Sequence, residues 1–101
     1  MLRFPIKGTY FGQIDRNEKL EEYRAIKAYW TKRFITAGLL NADGTPSGKV
    51  VEVSFRNGYG KNAPEIHARV LLSIGWGRPE WGAPPETDLY RLFIVRKVRV
   101  R

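Results

Sequence analysis

The sequence predicts a small α+β fold, a mixed β-barrel of about five or six strands with two flanking helices. Three observations lead to this prediction. The chain has 101 residues, a length that suits one domain, so residues 1–101 are predicted as a single domain. At least five short segments have strand character. Only two segments have a helical period, which is too few for a sheet built from repeated strand–helix–strand crossovers.

The first strand and the first helix are predicted close to the N-terminus. Residues 2–7 alternate apolar and polar side chains, which is typical of a strand, and Pro5 limits the hydrogen bonds this strand can make. Thr9 is expected to cap a short helix over residues 10–16. Asn17 is expected to end the helix in the left-handed conformation, which costs asparagine little.

A second strand and a second helix follow. Residues 19–24 are interpreted as a short strand. In residues 26–37 the apolar side chains recur every three or four positions, which predicts a helix whose core stripe is Ile26, Trp30, Phe34 and Ala37.

The C-terminal part of the chain is predicted to contain three strands and three loops. Alternating apolar residues predict the strands over 49–56, 65–74 and 89–100. Glycine, proline and other turn-forming residues predict the intervening loops over 41–48, 57–61 and 75–85.

The charge balance points to a polyanionic partner. The chain has 18 Lys and Arg against 10 Asp and Glu, a formal net charge of +8. Five of these positive charges lie in the acid-free segment 91–101, at Arg91, Arg96, Lys97, Arg99 and Arg101. Neutralisation of phosphates supplies most non-specific nucleic-acid affinity, so nucleic acid is the first partner this balance suggests. A basic terminal strand is also often only a solvated edge.

Composition excludes several other classes. The sequence has no cysteine, which excludes a disulfide scaffold, a thiolate zinc site and a cysteine nucleophile, and suits a reducing compartment. No apolar run approaches the ~20 residues of a membrane span, and the N-terminus has no signal-peptide pattern. We therefore expect a cytoplasmic protein without membrane contact. A metal site needs more ligands than one histidine, and no cluster of His, Asp or Glu surrounds the only histidine, His67, so neither a metal nor a cofactor is expected.

The densest polar cluster is Lys19, Glu22 and Arg24. On a strand, Glu22 and Arg24 share one face, while Tyr23 points to the other face and into a core. Arginine binds phosphate or carboxylate through two parallel hydrogen bonds, glutamate accepts protons or reads an amino group, and lysine supplies a point charge. The cluster therefore suits a polar ligand. An ion-paired strand on a solvated face explains the same spacing.

The segment Asn17-x-Lys19-x-x-Glu22-x-Arg24 resembles the G-x-K-x-x-E-x-R motif of the ASCH domain family, with Asn17 in place of the glycine. The flanks also resemble the family, at Phe4-Pro5-Ile6-Lys7, Tyr10-Phe11, Tyr29-Trp30 and Arg33. The loops Asn57–Lys61 and Gly77–Gly82 are similar to those of small bacterial and phage members. The resemblance covers most of the chain and is weakest over residues 38–48.

This resemblance implies a PUA-like β-barrel with the motif in a cleft. It also implies RNA binding, since members are regarded as RNA-binding proteins. Some members resemble ribonucleases, and one branch hydrolyses the acetyl amide of acetylcytidine with a motif Lys, a Thr and a later Glu. Lys19 matches that Lys, but Glu22 stands at the Thr position, so the hydrolase set is incomplete. Glu52 and Glu65 are candidates for the later Glu.

We therefore predict an RNA-binding module that holds a nucleotide or modified base, with single-stranded RNA or a nucleoside as its partner. One alternative is a ribonuclease or nucleoside-amide hydrolase in which Lys19 and Glu22 are catalytic, with Tyr59 or a strand glutamate as partner. Another is a non-catalytic phage interaction protein. Tyr59 either stacks on a base or plugs the barrel end. The candidate ligand-binding residues are Lys19, Glu22, Arg24, Tyr59, Lys61, Arg99 and Arg101.

Three expectations concern the environment of these side chains. Arg24 should be partly buried against Glu22 or a backbone carbonyl, so that Arg24→Ala costs roughly 1–3 kcal/mol. Lys19 should lie at the mouth of the cleft with little packing to lose, so that its removal changes stability by no more than about 0.5 kcal/mol. Arg99 and Arg101 should alternate outward and bind the RNA backbone.

Overall fold

The computed structural model describes residues 1–101. Five strands, two α-helices and one short 3₁₀ turn follow one another along the chain. In order they are β1 Leu2–Pro5, α1 Gly8–Asp15, β2 Glu21–Ala25, α2 Ala28–Thr36, β3 Val51–Arg56, β4 Glu65–Trp76, the 3₁₀ turn Pro79–Trp81, and β5 Asp88–Arg99. The five predicted strands and two predicted helices are all present, with boundaries that differ by a few residues.

All five strands form one curled sheet in the order β1-β3-β4-β5-β2. The pairing of β1 with β3 is parallel, and the other three pairings are antiparallel. The sheet curls into a half-barrel, which confirms the predicted small α+β barrel-like fold. Strands β1 and β2 are the two edges of the sheet and do not pair with each other, so the barrel stays open along one side.

The core lies on the concave side of the sheet. Alternate residues of β3, β4 and β5 enter it, including Val53, Phe55, Ile66, Val70 and Leu92, all fully buried. This alternation is the period-two pattern that the sequence shows in these segments. Helix α2 closes one side of the core through the fully buried Phe34.

Helix α2 starts later than its sequence period indicates. Lys27, at φ −134° and ψ 154°, is still extended, and the helix begins at Ala28. Ile26 is consequently 46% exposed and lies outside the core stripe, which corrects the prediction. Trp30 is half-buried rather than fully buried, and its ring stacks on Phe4 with a centroid separation of 5.4 Å. The edge strand β1 is thereby held against α2 by aromatic packing.

Backbone hydrogen bonds and backbone conformation, and not side-chain caps, define both ends of helix α1. It begins at Gly8 after Lys7, whose carbonyl accepts the hydrogen bond of the Phe11 amide at 2.8 Å. No side chain caps the helix, so the predicted capping role of Thr9 is wrong. Asn17 has φ 64°, which confirms its predicted left-handed conformation. This turn folds the chain back over the helix end, where the Lys19 amide donates to the Gln13 carbonyl at 3.1 Å.

A β-bulge in β5 reverses the direction of the side chains that follow it. Arg69 lies opposite Arg96, whereas the next residue of β4, Val70, lies opposite Ile94, which leaves Val95 without a partner. Beyond the bulge Arg99 lies opposite the buried Ile66 and therefore points to the concave side. Its guanidinium pairs with Asp15 at the end of α1, at 2.7 Å. The prediction that Arg99 alternates outward is therefore wrong.

Candidate functional site

The opening between the two edge strands forms a cleft with a volume of about 330 Å³. Strands β1 and β2 do not pair, and the Arg24 side chain of β2 reaches the Pro5 carbonyl of β1 across this gap. The residues that line it are Pro5, Ile6, Lys7, Tyr10, Glu22, Tyr23, Arg24, Trp81 and Gly82. Two of the three motif residues, Glu22 and Arg24, therefore lie in a concave site at the edge of the half-barrel.

Arg24 bridges the gap between the edge strands. Its Nη1 donates to Glu22 Oε2 at 2.8 Å and to the Tyr23 carbonyl at 2.6 Å, and its Nη2 donates to the Pro5 carbonyl at 3.2 Å. The side chain is 15% exposed, which confirms that it is partly buried against Glu22 and backbone carbonyls. Of the five guanidinium N–H groups, these three bonds leave two unused.

The Arg24 guanidinium is also fixed by aromatic rings. Its Cζ lies 4.9 Å from the ring centroid of Phe4 and 5.1 Å from that of Trp30. Cation–π contacts of this kind and three hydrogen bonds hold the side chain in one position. The two N–H groups without a partner therefore belong to a side chain that lines the cleft and is held in a fixed position.

Lys19 lies behind the cleft and not at its mouth. The residue is only 1% exposed, so the prediction that it has little packing to lose is wrong. Its Nζ donates to the carbonyl of Trp81 and lies 3.2 Å from Glu22 Oε1. The Tyr10 and Tyr23 ring centroids are 4.9 Å and 4.8 Å from the same nitrogen. Burial arises because the loop around Trp81, far away in sequence, folds over the lysine.

Burial lowers the pKa of the Lys19 ammonium below its ordinary value, and the nearby Glu22 carboxylate partly offsets this effect. Glu22 lies between the two cations, since its Oε1 faces Lys19 and its Oε2 faces Arg24. With Lys19 protonated, two cations and one carboxylate leave this triad with a net charge of +1. The three predicted residues are therefore brought together, as a buried ion-pair network with residual positive charge.

Tyr23 connects β2 to the loop that covers Lys19. Its hydroxyl donates to Glu21 Oε1 at 2.9 Å and accepts the Arg78 amide at 2.9 Å. The ring packs with Ala83 and Leu89 in a small second core, which confirms that Tyr23 points away from Glu22 and Arg24. Burial raises the pKa of the Tyr23 phenol to about 12, because the phenolate loses its hydration.

We expect the Tyr23 phenol to make stability fall steeply in alkali. Its folded pKa is raised from 10.0 to about 12, so its stabilising contribution is complete below pH 10 and is lost as pH rises toward 12. The lost free energy should be of the order of 2 kcal/mol. Lys19 has the opposite effect on stability and at lower pH. Its pKa is lowered in the folded protein, so the unfolded chain holds this proton more tightly, and stability rises as pH increases toward 10.5.

Urea unfolding of the wild type and of Tyr23→Phe over this pH range checks this prediction. The variant should be less stable near neutrality, because the Arg78 amide loses its acceptor, yet its stability should decline less between pH 10 and pH 12. Parallel declines in the two proteins would contradict the assignment to Tyr23.

The cleft also contains residues that the sequence did not single out as ligand contacts. Lys7 and Tyr10 come from the start of α1, and Trp81 and Gly82 come from the loop between β4 and β5. Gly82 has φ 98°, and a Cβ there would lie 2.9 Å from the Tyr10 ring, so only glycine allows this close approach. The only signal in the sequence was a glycine directly after a tryptophan. The residue that packs against this glycine, Tyr10, lies about seventy residues earlier in the chain.

Tyr59 is 86% exposed in the loop after β3 and therefore does not plug the barrel end. It lines a shallow hollow with Asn57 and Gly58 that shares Pro5, Ile6 and Lys7 with the cleft. The exposed ring thus adjoins the candidate site. Lys61, in the same loop, is exposed, and its carbonyl accepts a hydrogen bond from Arg101 Nη1 at 2.8 Å.

Arg99 and Arg101 lie outside the cleft lining and have partners within the protein. Arg99 Nε donates to the Arg101 carbonyl at 2.6 Å, in addition to its pair with Asp15. The C-terminal basic residues therefore contribute to holding the end of β5 against α1 and the loop after β3.

Neither candidate for a later catalytic glutamate lines the cleft. Glu65 accepts hydrogen bonds from Ser54 at 2.7 Å and from His67 at 2.8 Å, and these bonds lower the pKa of its carboxyl. Glu52 lies exposed in the neighbouring strand. No group of three or more His, Cys, Asp or Glu side chains is arranged to hold a metal ion.

Comparisons with protein-family models, with curated proteins and with solved structures found no significant match for this chain. Neither helix is long and apolar enough to cross a membrane.

Proposed function

We propose that the protein is a small RNA-binding module of the ASCH type, which holds a nucleotide or modified base of single-stranded RNA in the cleft between β1 and β2. The observation that carries this proposal is the fixed guanidinium of Arg24, which lies at a concave site and retains two unused donors. Guanidinium groups held in this way suit paired acceptor atoms, such as two phosphate oxygens or two acceptors on one base edge.

The surroundings of Arg24 fit such a ligand. Lys7 lies exposed on the rim without an ion-pair partner and adds a second positive charge. Tyr10 and Trp81 provide aromatic surface inside the cleft, and the exposed Tyr59 lies beside it. Single-stranded nucleic acids are commonly bound by this combination of positive charge and aromatic stacking surfaces.

Glu22 and Lys19, the two acid–base candidates, are both paired and buried, and this favours binding without turnover over hydrolysis. Both oxygens of Glu22 face cations, and the Lys19 ammonium faces a carbonyl, a carboxylate and two rings while it is 1% exposed. A general base needs to reach the proton it removes, either directly or through one water. The lowered pKa of Lys19 is explained by burial and needs no catalytic role.

We expect Lys7→Gln to weaken binding of a short oligouridylate about ten-fold at low salt, because a charge-assisted contact contributes about 1.5 kcal/mol. Lys7 is exposed, so the variant should fold with unchanged stability. Titration followed by tryptophan fluorescence measures the dissociation constant, with Trp81 as a reporter in the cleft. Lys49→Gln is the matched control, since Lys49 is an exposed lysine away from the cleft.

Equal weakening by Lys7→Gln and Lys49→Gln would mean that only net charge matters and would contradict a site at the cleft. Cleavage of the RNA, or release of acetate from acetylcytidine, during the same incubation would instead support the hydrolase.

A further inference from the structure

A second groove lies on the convex face of the sheet, away from the cleft. It has a volume of about 330 Å³ and runs over β3, β4 and β5. Its charged side chains are Arg69, Arg96 and Glu52, with His67 beside them. Lys97 borders the groove, but it lies opposite the buried Ala68, and its Nζ donates to the Asp15 carbonyl at the end of α1 at 3.1 Å. Two cations against one carboxylate give the groove a net charge of +1 with His67 neutral.

Two arginines in this groove face each other, and neither is in an ion pair or a side-chain hydrogen bond, while Glu52 lies opposite Arg69 in the β3–β4 pairing. Arg69 and Arg96 lie directly opposite in the β4–β5 pairing, and both are exposed. Like charges in directly opposed positions destabilise a sheet. Arg16, Arg24, Arg56 and Arg99 each have a carboxylate within ion-pair distance, whereas the ion pairs of the protein include neither Arg69 nor Arg96. Their side chains also make no hydrogen bond within the chain.

The β-bulge at Val95 produces this juxtaposition. Before the bulge the even-numbered residues of β5, such as Leu92 and Ile94, point into the core. In a regular strand, with Val95 paired, Arg96 would continue this series and point inward. The unpaired Val95 turns Arg96 to the convex face, beside Arg69. Bulges often redirect a side chain at a functional position, and here the result is a pair of free guanidinium groups.

We propose that this groove binds the phosphodiester backbone of RNA, with Arg69 and Arg96 as paired phosphate contacts. The partner follows from the charge of the groove and from the fork geometry of arginine, which matches phosphate oxygens. The inference rests on the proposed function in taking RNA as the ligand, but it concerns a separate surface. It also places the backbone contacts on the convex face, whereas the C-terminal Arg99 and Arg101 bind groups within the protein.

The double variant Arg69→Gln/Arg96→Gln tests the proposal. Binding of an oligouridylate is measured over a range of salt concentrations, and binding of uridine monophosphate is measured separately. Two lost phosphate contacts should reduce the slope of log K against log salt by about 1.4, since each contact on a single strand contributes about 0.7. Binding of the mononucleotide in the cleft should not change. Lys27→Gln, an exposed lysine outside the groove, is the control for a general loss of charge.

Thermal unfolding at low salt supplies a second measurement that does not depend on RNA. Removing one of two opposed cations should raise the Tm of the single variant Arg96→Gln, or leave it unchanged. A lower Tm would show that the arginine has a structural role and would overturn the proposal. An unchanged salt slope in a double variant that still binds the mononucleotide would overturn this inference alone. Failure of the wild type to bind either ligand would overturn both proposals.

Discussion

Replacing Lys19 with alanine is expected to lower the free energy of unfolding by about 3–5 kcal/mol. The side chain is 1% exposed, so its loss leaves a cavity between α1, β2 and the loop around Trp81. The same change leaves the Trp81 carbonyl without its donor and removes one cation from the buried Glu22 carboxylate. Breaking a buried ion pair on one side costs about 3–5 kcal/mol in measured cases.

Lys19→Met separates packing from charge, because methionine fills a similar volume without an ammonium group. We expect it to lose about 2 kcal/mol, since Glu22 keeps Arg24 as a partner. Lys7→Ala, at an exposed lysine twelve residues earlier, should change stability by no more than about 0.5 kcal/mol. Urea unfolding monitored by circular dichroism gives all three values. If Lys19→Ala behaves like Lys7→Ala, the buried position of Lys19 is wrong.

Arg24→Ala is expected to lower the free energy of unfolding by about 3 kcal/mol. The substitution removes three hydrogen bonds, the cation–π contacts with Phe4 and Trp30, and the only side-chain bridge from β2 to the Pro5 carbonyl of β1. The open side of the half-barrel should consequently become mobile. Faster hydrogen exchange of the β1 amides would report this opening.

Arg24→Lys should recover part of this loss, because an ammonium can pair with Glu22 but cannot reach Glu22 and Pro5 together as a guanidinium does. Arg16→Ala is the matched control. Arg16 also forms an ion pair with a glutamate two residues away, but its side chain is 62% exposed. Arg16→Ala should lose far less stability than Arg24→Ala, because solvent screens an exposed ion pair. Equal losses at the two arginines would mean that Arg24 contributes no more than a surface ion pair.

The strands and the main helix could be predicted because their signals are local. Alternation of Val51, Val53 and Phe55 with polar residues follows from the two-residue repeat of a strand, and the structure buries Val53 and Phe55 as expected. The same repeat correctly placed Glu22 and Arg24 on one face and Tyr23 on the other. Asn17 was predictable for a similar reason, since few residues accept its left-handed conformation.

Contacts between distant segments decided which charged side chains of the candidate site are buried and which face they point to. Lys19 is buried by Trp81, which is 62 residues later in the chain, and no local pattern carries that information. The helix boundary at Ala28 depended on the extended backbone of Lys27. A single bulged residue at Val95 reversed the faces of the residues after it, which turned the half-exposed Arg99 toward α1 and Arg96 to the convex face. Side-chain periodicity in the sequence therefore determined which segments are strands and helices. Loop closure and strand register decided which charged side chains are buried, paired or free, because both depend on packing between distant segments.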